Sequence, residues 1–496
     1  MNNFSILIKN GTIIDGTGKK RYQSNLIIDE DKIVSIYNSN QESVIINNKK
    51  HLIKSLKFNK EIDAKSMVVA PGFIDVHTHD DQNIFDDPTM SCKISQGVTS
   101  CIVGNCGISL APFNFSGDVP APIPLLGEKE VFKYPKVSDY KSAFLKSPSS
   151  INVALLTGHS MLRVQAMNGD FARSANNNEI SAMQKMLDEA LKEGSIGLST
   201  GLAYPAASSA PTEEIIELAK VLKAYDGIFT THMRNEGDDL LKSVQETIDI
   251  GKIAGVRTVI SHHKCAGRSN WGKSIKSLNL IEQAKKEQYL DLDCYPYTAS
   301  STMLLKNFVA RADKVLVTWS DKFKDLKVND INNLTKKFNC SVDEVVDKLY
   351  PAGAIYFQMD DEDLNRILKF SGSMIGSDGL PGDKHPHPRL WGTFPRVLGK
   401  YSRDMKLFSL EEAIFKMSGK SSSTFGLKKR GLLKEGYFAD IVIIDENNVI
   451  DNATYEEPLL PSSGIEKVFT NGKLVWENLT ATENFSGKFL EGKSFN

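Results

Sequence analysis

Hydrophobic positions along this chain fall into three successive patterns. From residue 4 to 37 they come in short runs, Phe4 to Gly11, Thr12 to Gly16, Ser24 to Ile28 and Lys32 to Ile36, with turn signals at Asn10-Gly11 and Asp15-Gly16. Runs this short, separated by such turns, predict a small β-sheet unit. Residues 38 to 60 lose the pattern, are rich in Asn and Lys, and read as an exposed loop or an extended hairpin.

From about residue 65 to 430 the runs become solidly apolar. Val68 to Val76, broken by Pro71-Gly72, is the first predicted strand. Val98 to Val103, Asn152 to Leu156, Ile196 to Ser199, Ile228 to Thr231, Thr258 to Ser261, Leu290 to Asp293 and Ser373 to Gly376 bring the number to eight. Between several of them apolar residues recur at helical spacing, as in 178–193 and 213–225. Eight buried strands alternating with helices predict an α/β fold, a TIM-like (β/α)8 barrel. Residues 302–365 break the rhythm, with a helix expected over 342–349, and read as an insertion that lies as a lid over the strand ends. After residue 430 short strands return, in Gly431 to Gly436, Ala439 to Asp445 and Val468 to Trp476. The simplest organisation is a small β-sandwich domain built from both termini, 1–64 and 431–496, with the barrel, 65–430, inserted between them.

Composition adds exclusions. The chain has 496 residues, 41% apolar and 24% charged, with a formal net charge of -1. That is ordinary for a soluble globular protein and gives no reason to expect a nucleic-acid or anionic-membrane partner. No apolar run is long enough to span a bilayer, and Met1 to Ser5 open no secretory pattern. Six scattered cysteines without C-x-x-C pairing suit a reducing cytoplasm.

The candidate chemistry sits at the ends of the predicted strands. His77 and His79 close the first apolar run, and residues two apart on a strand share a face. Cys106 follows the second strand between glycines; His232 and His262 follow two later ones; Asp378 follows the last. Zinc prefers imidazole and thiolate, and a catalytic site leaves it a position for water. Zinc lowers the pKa of that water to ~7 and polarises a carbonyl; a carboxylate such as Asp378 can then move the proton to a leaving amine. Duller readings stand beside this one. Cys92, Cys101, Cys265, Cys294 and Cys340 read as small buried hydrophobes. His263 faces away from His262 if both are on a strand. His159 serves either the site or the packing, His385 and His387 lie in a Pro-rich loop and shape the site rather than bind metal, and Asp80-Asp81 either orient the histidines or cap a helix.

Pro71 to His79 resembles the entry signature of the amidohydrolase superfamily. Gly104-Asn105-Cys106-Gly107, where most dinuclear members carry a carboxylated lysine, resembles the N-acyl-D-amino-acid deacylases (D-aminoacylases). Gly197 to Pro205, Thr231 to Glu236, Ile260 to Lys264, Tyr295 to Tyr297 with Ser300 to Thr302, Gly376 to Gly379, and His387 to Arg389 extend the likeness in order, from about residue 5 to 476. The resemblance implies one tight zinc on Cys106, His232 and His262. It implies a weaker second metal position at His77 and His79, with Cys106 able to bridge, and Asp378 as general acid/base. Lys264, Tyr295, Ser301 and Arg389 would bind the α-carboxylate of a small-molecule N-acyl-D-amino acid, and Tyr204 the scissile carbonyl oxygen. An anionic substrate is consistent with such donors. The expected activity is zinc-dependent amide hydrolysis to a carboxylate and a free D-amino acid. A hydantoinase-like cyclic-amide hydrolase or a dipeptidase on the same scaffold is the alternative, and a non-catalytic scaffold is opposed by the full ligand set. Arg268, Lys306 and Arg311 are the cations that could read an acidic side chain.

Overall fold

The computed structural model describes residues 3–492. Eight parallel strands form the barrel: β1 (Phe73–Asp75), β2 (Val98–Val103), β3 (Asn152–Gly158), β4 (Gly197–Gly201), β5 (Ile228–His232), β6 (Arg257–Ile260), β7 (Leu290–Cys294) and β8 (Ser373–Ile375). Their order in the sheet is their order in the chain. Every residue of β2, β3, β4 and β5 is buried, as expected for a parallel sheet covered on both faces. Ile74, Ile102, Leu156, Ile228, Val259 and Met374 pack together with Phe425 and Leu427.

The cylinder closes beyond the ends of β1 and β8. A parallel bridge joins Thr78 to Gly379, Asp378 N donates to His77 O at 2.7 Å, and His79 N to Gly379 O at 3.0 Å. Buried Lys93 clamps this seam: its Nζ meets Asp75 Oδ2 at 2.8 Å, Asp80 Oδ2 at 2.9 Å, Thr78 Oγ1 at 2.9 Å and Ser377 Oγ at 3.0 Å. On the outside, Asn177–Lys192 starts with a capping box between Asn176 and Glu179, and packs Met183, Leu187 and Leu191 against Ile215, Leu218 and Leu222 of Thr212–Leu222.

Both ends of the chain meet in one nine-stranded sheet. Val68–Pro71 lies inside it, parallel to Asn3–Ile13 and antiparallel to Ile441–Ile444. The first predicted strand is thus two strands in two sheets, and Gly72 is the crossing point. A Cβ there would lie 2.3 Å from the Thr99 side chain, so only glycine lets the chain pass. The Asn10-Gly11 signal is a bulge rather than a hairpin turn: Asn3–Ile13 runs on through it, with Asn10 at φ 61° and a register shift between Ile8 and Gly11. Ser43–Ile46 and Lys49–Leu52 form the hairpin, and Lys57–Asp63 returns alongside Asn3–Ile13. Gly431 to Gly436 is turn, not strand, with both glycines at positive φ.

The irregular stretch folds as a four-stranded sheet: Ala299–Met303, Ala352–Phe357, Lys314–Ser320 and Asn329–Asp330. Helices Ile331–Phe338 and Val342–Leu349 share its core through Leu334, Val345 and Leu349; Tyr204 reaches this core from beyond β4.

Candidate active site

Five histidine and cysteine side chains converge from the strand ends. Cys106 Sγ lies 3.3 Å from His77 Nε2, 3.3 Å from His262 Nε2 and 3.7 Å from His232 Nδ1. Asp378 Oδ1 lies 3.4 Å from His79 Nε2 and 3.6 Å from His77 Nε2. These atoms form two overlapping groups, Cys106 with His232 and His262, and His77 with His79, Cys106 and Asp378; Cys106 is common to both. Zinc bonds of about 2.3 Å to sulfur and 2.0–2.1 Å to nitrogen would place tetrahedral S and N ligands roughly 3.5 Å apart. The spacing around Cys106 meets that requirement, so the donors fit a zinc ion.

Backbone geometry aims three of these side chains. Cys106, His262 and Asp378 have φ of 53°, 35° and 50°. The left-handed region costs a non-glycine residue ~1–3 kcal/mol, and such outliers gather at functional sites. The chain leaves each strand in a tight turn here, which tips the side chain over the mouth of the barrel.

Electrostatics favour the thiolate that a metal needs. Burial opposes ionisation of Cys106, but the surrounding His77 and His262 rings bring its thiol well below the ordinary range. Burial likewise opposes charge on His79, yet Asp378 and Cys106 lift it to about 9. Asp378 is held well below the carboxylate range against burial, chiefly by Arg389 and then by His79. Burial dominates at His232, which is lowered.

Two carboxylates without a sequence-assigned role brace the histidines. Glu236 Oε1 lies 3.0 Å from His262 Nδ1, and its Oε2 3.7 Å from His232 Nε2. Asp293 Oδ1 lies 3.4 Å from His77 Nδ1 and accepts from His262 N at 2.8 Å. With His262 Nε2 turned to Cys106, Nδ1 faces both Glu236 Oε1 and Lys264 Nζ, the latter at 2.8 Å, and this pair holds the ring in place. Glu236 also meets Lys264 Nζ at 2.5 Å. Its signal in the sequence was its place four residues after His232; Asp293, inside an apolar strand, and Lys93, in a short helix, carried none.

The pocket over the cluster is lined by His79, Tyr204, Glu236, Lys264, Tyr295 and Ser301, among others. Arg389 stands behind it, 2.9 Å from Asp378 Oδ2, donating to Ser301 O at 2.9 Å, with its guanidinium over the Tyr295 ring. Tyr295 OH and Ser301 Oγ are buried without a hydrogen-bond partner among the described residues, available to meet a ligand. Tyr204 OH lies 2.8 Å from Thr302 Oγ1. All eleven sequence-nominated residues therefore gather in one place. Arg311 lines the pocket, whereas Arg268 and Lys306 are in surface pairs with Asp313 and Asp347.

Other candidates lie elsewhere. His263 bonds Ser277, and burial pushes it down to about 4. His159 bonds Glu214, which also holds Arg163. His387 Nδ1 accepts from Arg389 N at 3.0 Å, and His385 meets Tyr455 O. Asp80 belongs to the Lys93 clamp, and Asp81 accepts from Gly104 N; neither touches a metal-group histidine through a hydrogen bond among the described residues. All six cysteines are free of disulfides. The position shared by the two metal groups is a cysteine, not the lysine a hydantoinase-like site would bring.

Comparison with known proteins agrees with this geometry. Residues 60–258 and 372–476 match the model of the Amidohydrolase family. A D-aminoacylase of Alcaligenes xylosoxydans xylosoxydans is 44% identical over 98% of this chain and 97% of its own length. An N-acyl-D-aspartate deacylase of that organism is 41% identical over 95% and 92%. The crystal structure of N-acyl-D-glutamate deacylase from Bordetella bronchiseptica, complexed with zinc and a phosphonate mimic of the tetrahedral intermediate, is 38% identical. It matches with a TM-score of 0.93 over 99% of this chain and 100% of its own.

Proposed function

The chain belongs to the amidohydrolase family, and from that membership we propose that it is a zinc-dependent N-acyl-D-amino-acid deacylase. It hydrolyses the amide to a carboxylate and a free D-amino acid. The observation that carries this reading is the Cys106-centred ligand group opening onto a pocket that also holds Lys264, Tyr295 and Ser301, with Arg389 behind it.

Cys106, His232 and His262 would hold the tight zinc, and His77 and His79, sharing Cys106, a weaker second ion. A bound zinc supplies an activated water and polarises the scissile carbonyl. Asp378, ionised under the influence of Arg389, takes the proton of the attacking water and delivers it to the leaving nitrogen. Lys264, Arg389 and the unpartnered Tyr295 and Ser301 hydroxyls bind the α-carboxylate and fix the amide over the metal group. Tyr204 turns its hydroxyl from Thr302 to the carbonyl oxygen as charge builds there. Glu236 and Asp293 hold the histidine rings in place. The partner is thus a small anionic molecule rather than nucleic acid or membrane, and a reducing cytoplasm suits six unpaired cysteines.

The test is a panel of N-acetyl amino acids in both enantiomers, with zinc measured on the same sample. Turnover confined to the D series, with about one firmly held zinc per chain, is the expected result. Turnover of hydantoins or dipeptides but of no N-acyl-D-amino acid would overturn it.

A further inference from the structure

The catalytic pocket is tight, with a free volume of about 30 Å³, and two of its lining residues also border a larger groove. Leu125, from the long loop after β2, and Leu380, two residues beyond Asp378, line it and also line a neighbouring groove of about 560 Å³. Phe115, Val119, Phe132 and Trp319 of the inserted sheet line that groove, together with charged residues such as Asp118, Lys129 and Asp383. The groove falls in the size range of small-molecule sites. Its rim is tied across: Lys324 Nζ reaches Glu128 Oε1 at 3.8 Å, and Lys384 Nζ donates to Lys324 O at 3.1 Å. These contacts link the β2 loop, the inserted sheet and the segment after Asp378.

The shape of the substrate says what would enter. Across a trans amide the acyl substituent and the α-carbon lie at opposite ends. With the α-carboxylate drawn to Lys264, Tyr295, Ser301 and Arg389, the acyl tail leaves on the other side. The cavity behind Lys264 and Tyr295 holds only about 10 Å³. The groove that shares Leu125 and Leu380 with the pocket is far larger.

We propose that this groove is an acyl-chain subsite, which makes the protein selective for N-acyl-D-amino acids whose acyl group is longer than acetyl: linear medium-length or arylalkanoyl chains passing between Leu125 and Leu380. The proposal rests on the deacylase reading and specifies the substrate's other half.

The experiment measures kcat/KM for the acetyl, butanoyl, hexanoyl and octanoyl derivatives of one accepted D-amino acid. It uses the zinc-loaded wild type, Val119→Glu and Phe132→Ser. Burial of each added methylene is worth up to about fourfold, so octanoyl should exceed butanoyl by at least ~10-fold in the wild type. Val119→Glu places a charge on the groove wall, outside the catalytic pocket. It should flatten the series to within ~3-fold while acetyl turnover stays within ~2-fold; Phe132→Ser should lower the slope partway. A wild-type series that is flat or falling overturns the subsite and leaves the deacylase reading standing. A rising series unaltered in both variants also overturns it, because the chain then lies elsewhere. If Val119→Glu changes the mass in solution but not the slope, the groove is an interface between copies and the proposal fails. No turnover of any N-acyl-D-amino acid, at any length, rejects the deacylase reading and the subsite together.

Discussion

Replacing Arg389 by methionine removes one buried cation while keeping most of its volume, and it tests two roles at once. The guanidinium is fully buried, 2.9 Å from Asp378 Oδ2. Coulomb's law at that distance gives ~1.4 kcal/mol at a dielectric constant of 80 and ~6 kcal/mol at 20, equivalent to about one to four pH units on the carboxylate. His79 and His77 still hold Asp378 down in the variant, so the lower end applies. Arg389 depresses this pKa; removing it raises the pKa. The acid limb of kcat/KM, where Asp378 loses its function as a base by protonation, therefore moves to higher pH by at least about one unit. Loss of a charge-assisted contact to the substrate carboxylate costs a further ~1.5–3 kcal/mol, or ~10- to ~150-fold in kcat/KM at the pH optimum. The assay is a pH series from about 2.5 to 9, so that it covers the depressed Asp378, on the wild type, Arg389→Met and Arg389→Lys, with zinc content matched. Arg389→Lys keeps the charge and should hold the acid limb near its wild-type position while losing the two-pronged geometry. An Arg389→Met enzyme with an unmoved acid limb and less than ~3-fold loss in kcat/KM would refute both roles.

Asp378→Asn should lower turnover at least ~100-fold with zinc still bound; near-normal rates would remove Asp378 from the proton path. Cys106→Ser should strip most of the firmly held zinc, read by metal analysis after gel filtration, since both ligand groups lose their shared thiolate; full retention of zinc would contradict that. Burial pushes Asp383 from 3.8 up to about 7, so the folded protein keeps a proton that the unfolded chain releases between those values. Its contribution to stability is complete below about pH 4 and is lost as pH rises through 7. Asp383→Asn should therefore be more stable than the wild type at pH 8, by up to ~4 kcal/mol, and show no such gain at pH 4. An offset in denaturation midpoint that does not vary with pH would sink this account.

The barrel was legible because its strands are apolar on both faces and therefore read as solid runs. The metal-capable cluster was legible because histidine and cysteine at the ends of such runs have few other uses. What escaped was set by tertiary contact. Pro71-Gly72 marked a break in an apolar run, but only the Ile441–Ile444 pairing shows that the break separates two sheets. Asn10-Gly11 carries the hairpin signature, yet the strand runs on through it because its antiparallel partner Tyr22–Asp29 pairs on both sides, Leu26 with Ile8 and Ser24 with Gly11. Lys93 reads as an ordinary helical lysine, and its burial among Asp75, Asp80, Thr78 and Ser377 follows only once β1 and β8 are neighbours. Glu236 stood inside a motif without a role, because its role depends on where two histidine rings turn their second nitrogens.

The closing seam between β1 and β8 also fixes an order of events during synthesis. Translation delivers the chain from its amino end, and folding can follow as segments emerge. His77, His79, Cys106, His232 and His262 are all added to the chain more than a hundred residues before Asp378. The nascent protein would therefore hold the proposed metal donors while it still lacks Asp378, the proposed proton carrier. Only when Gly379 pairs with Thr78 does Asp378 arrive beside His79. On the proposed roles, metal capture would precede catalytic competence, and closure of the seam would separate the two.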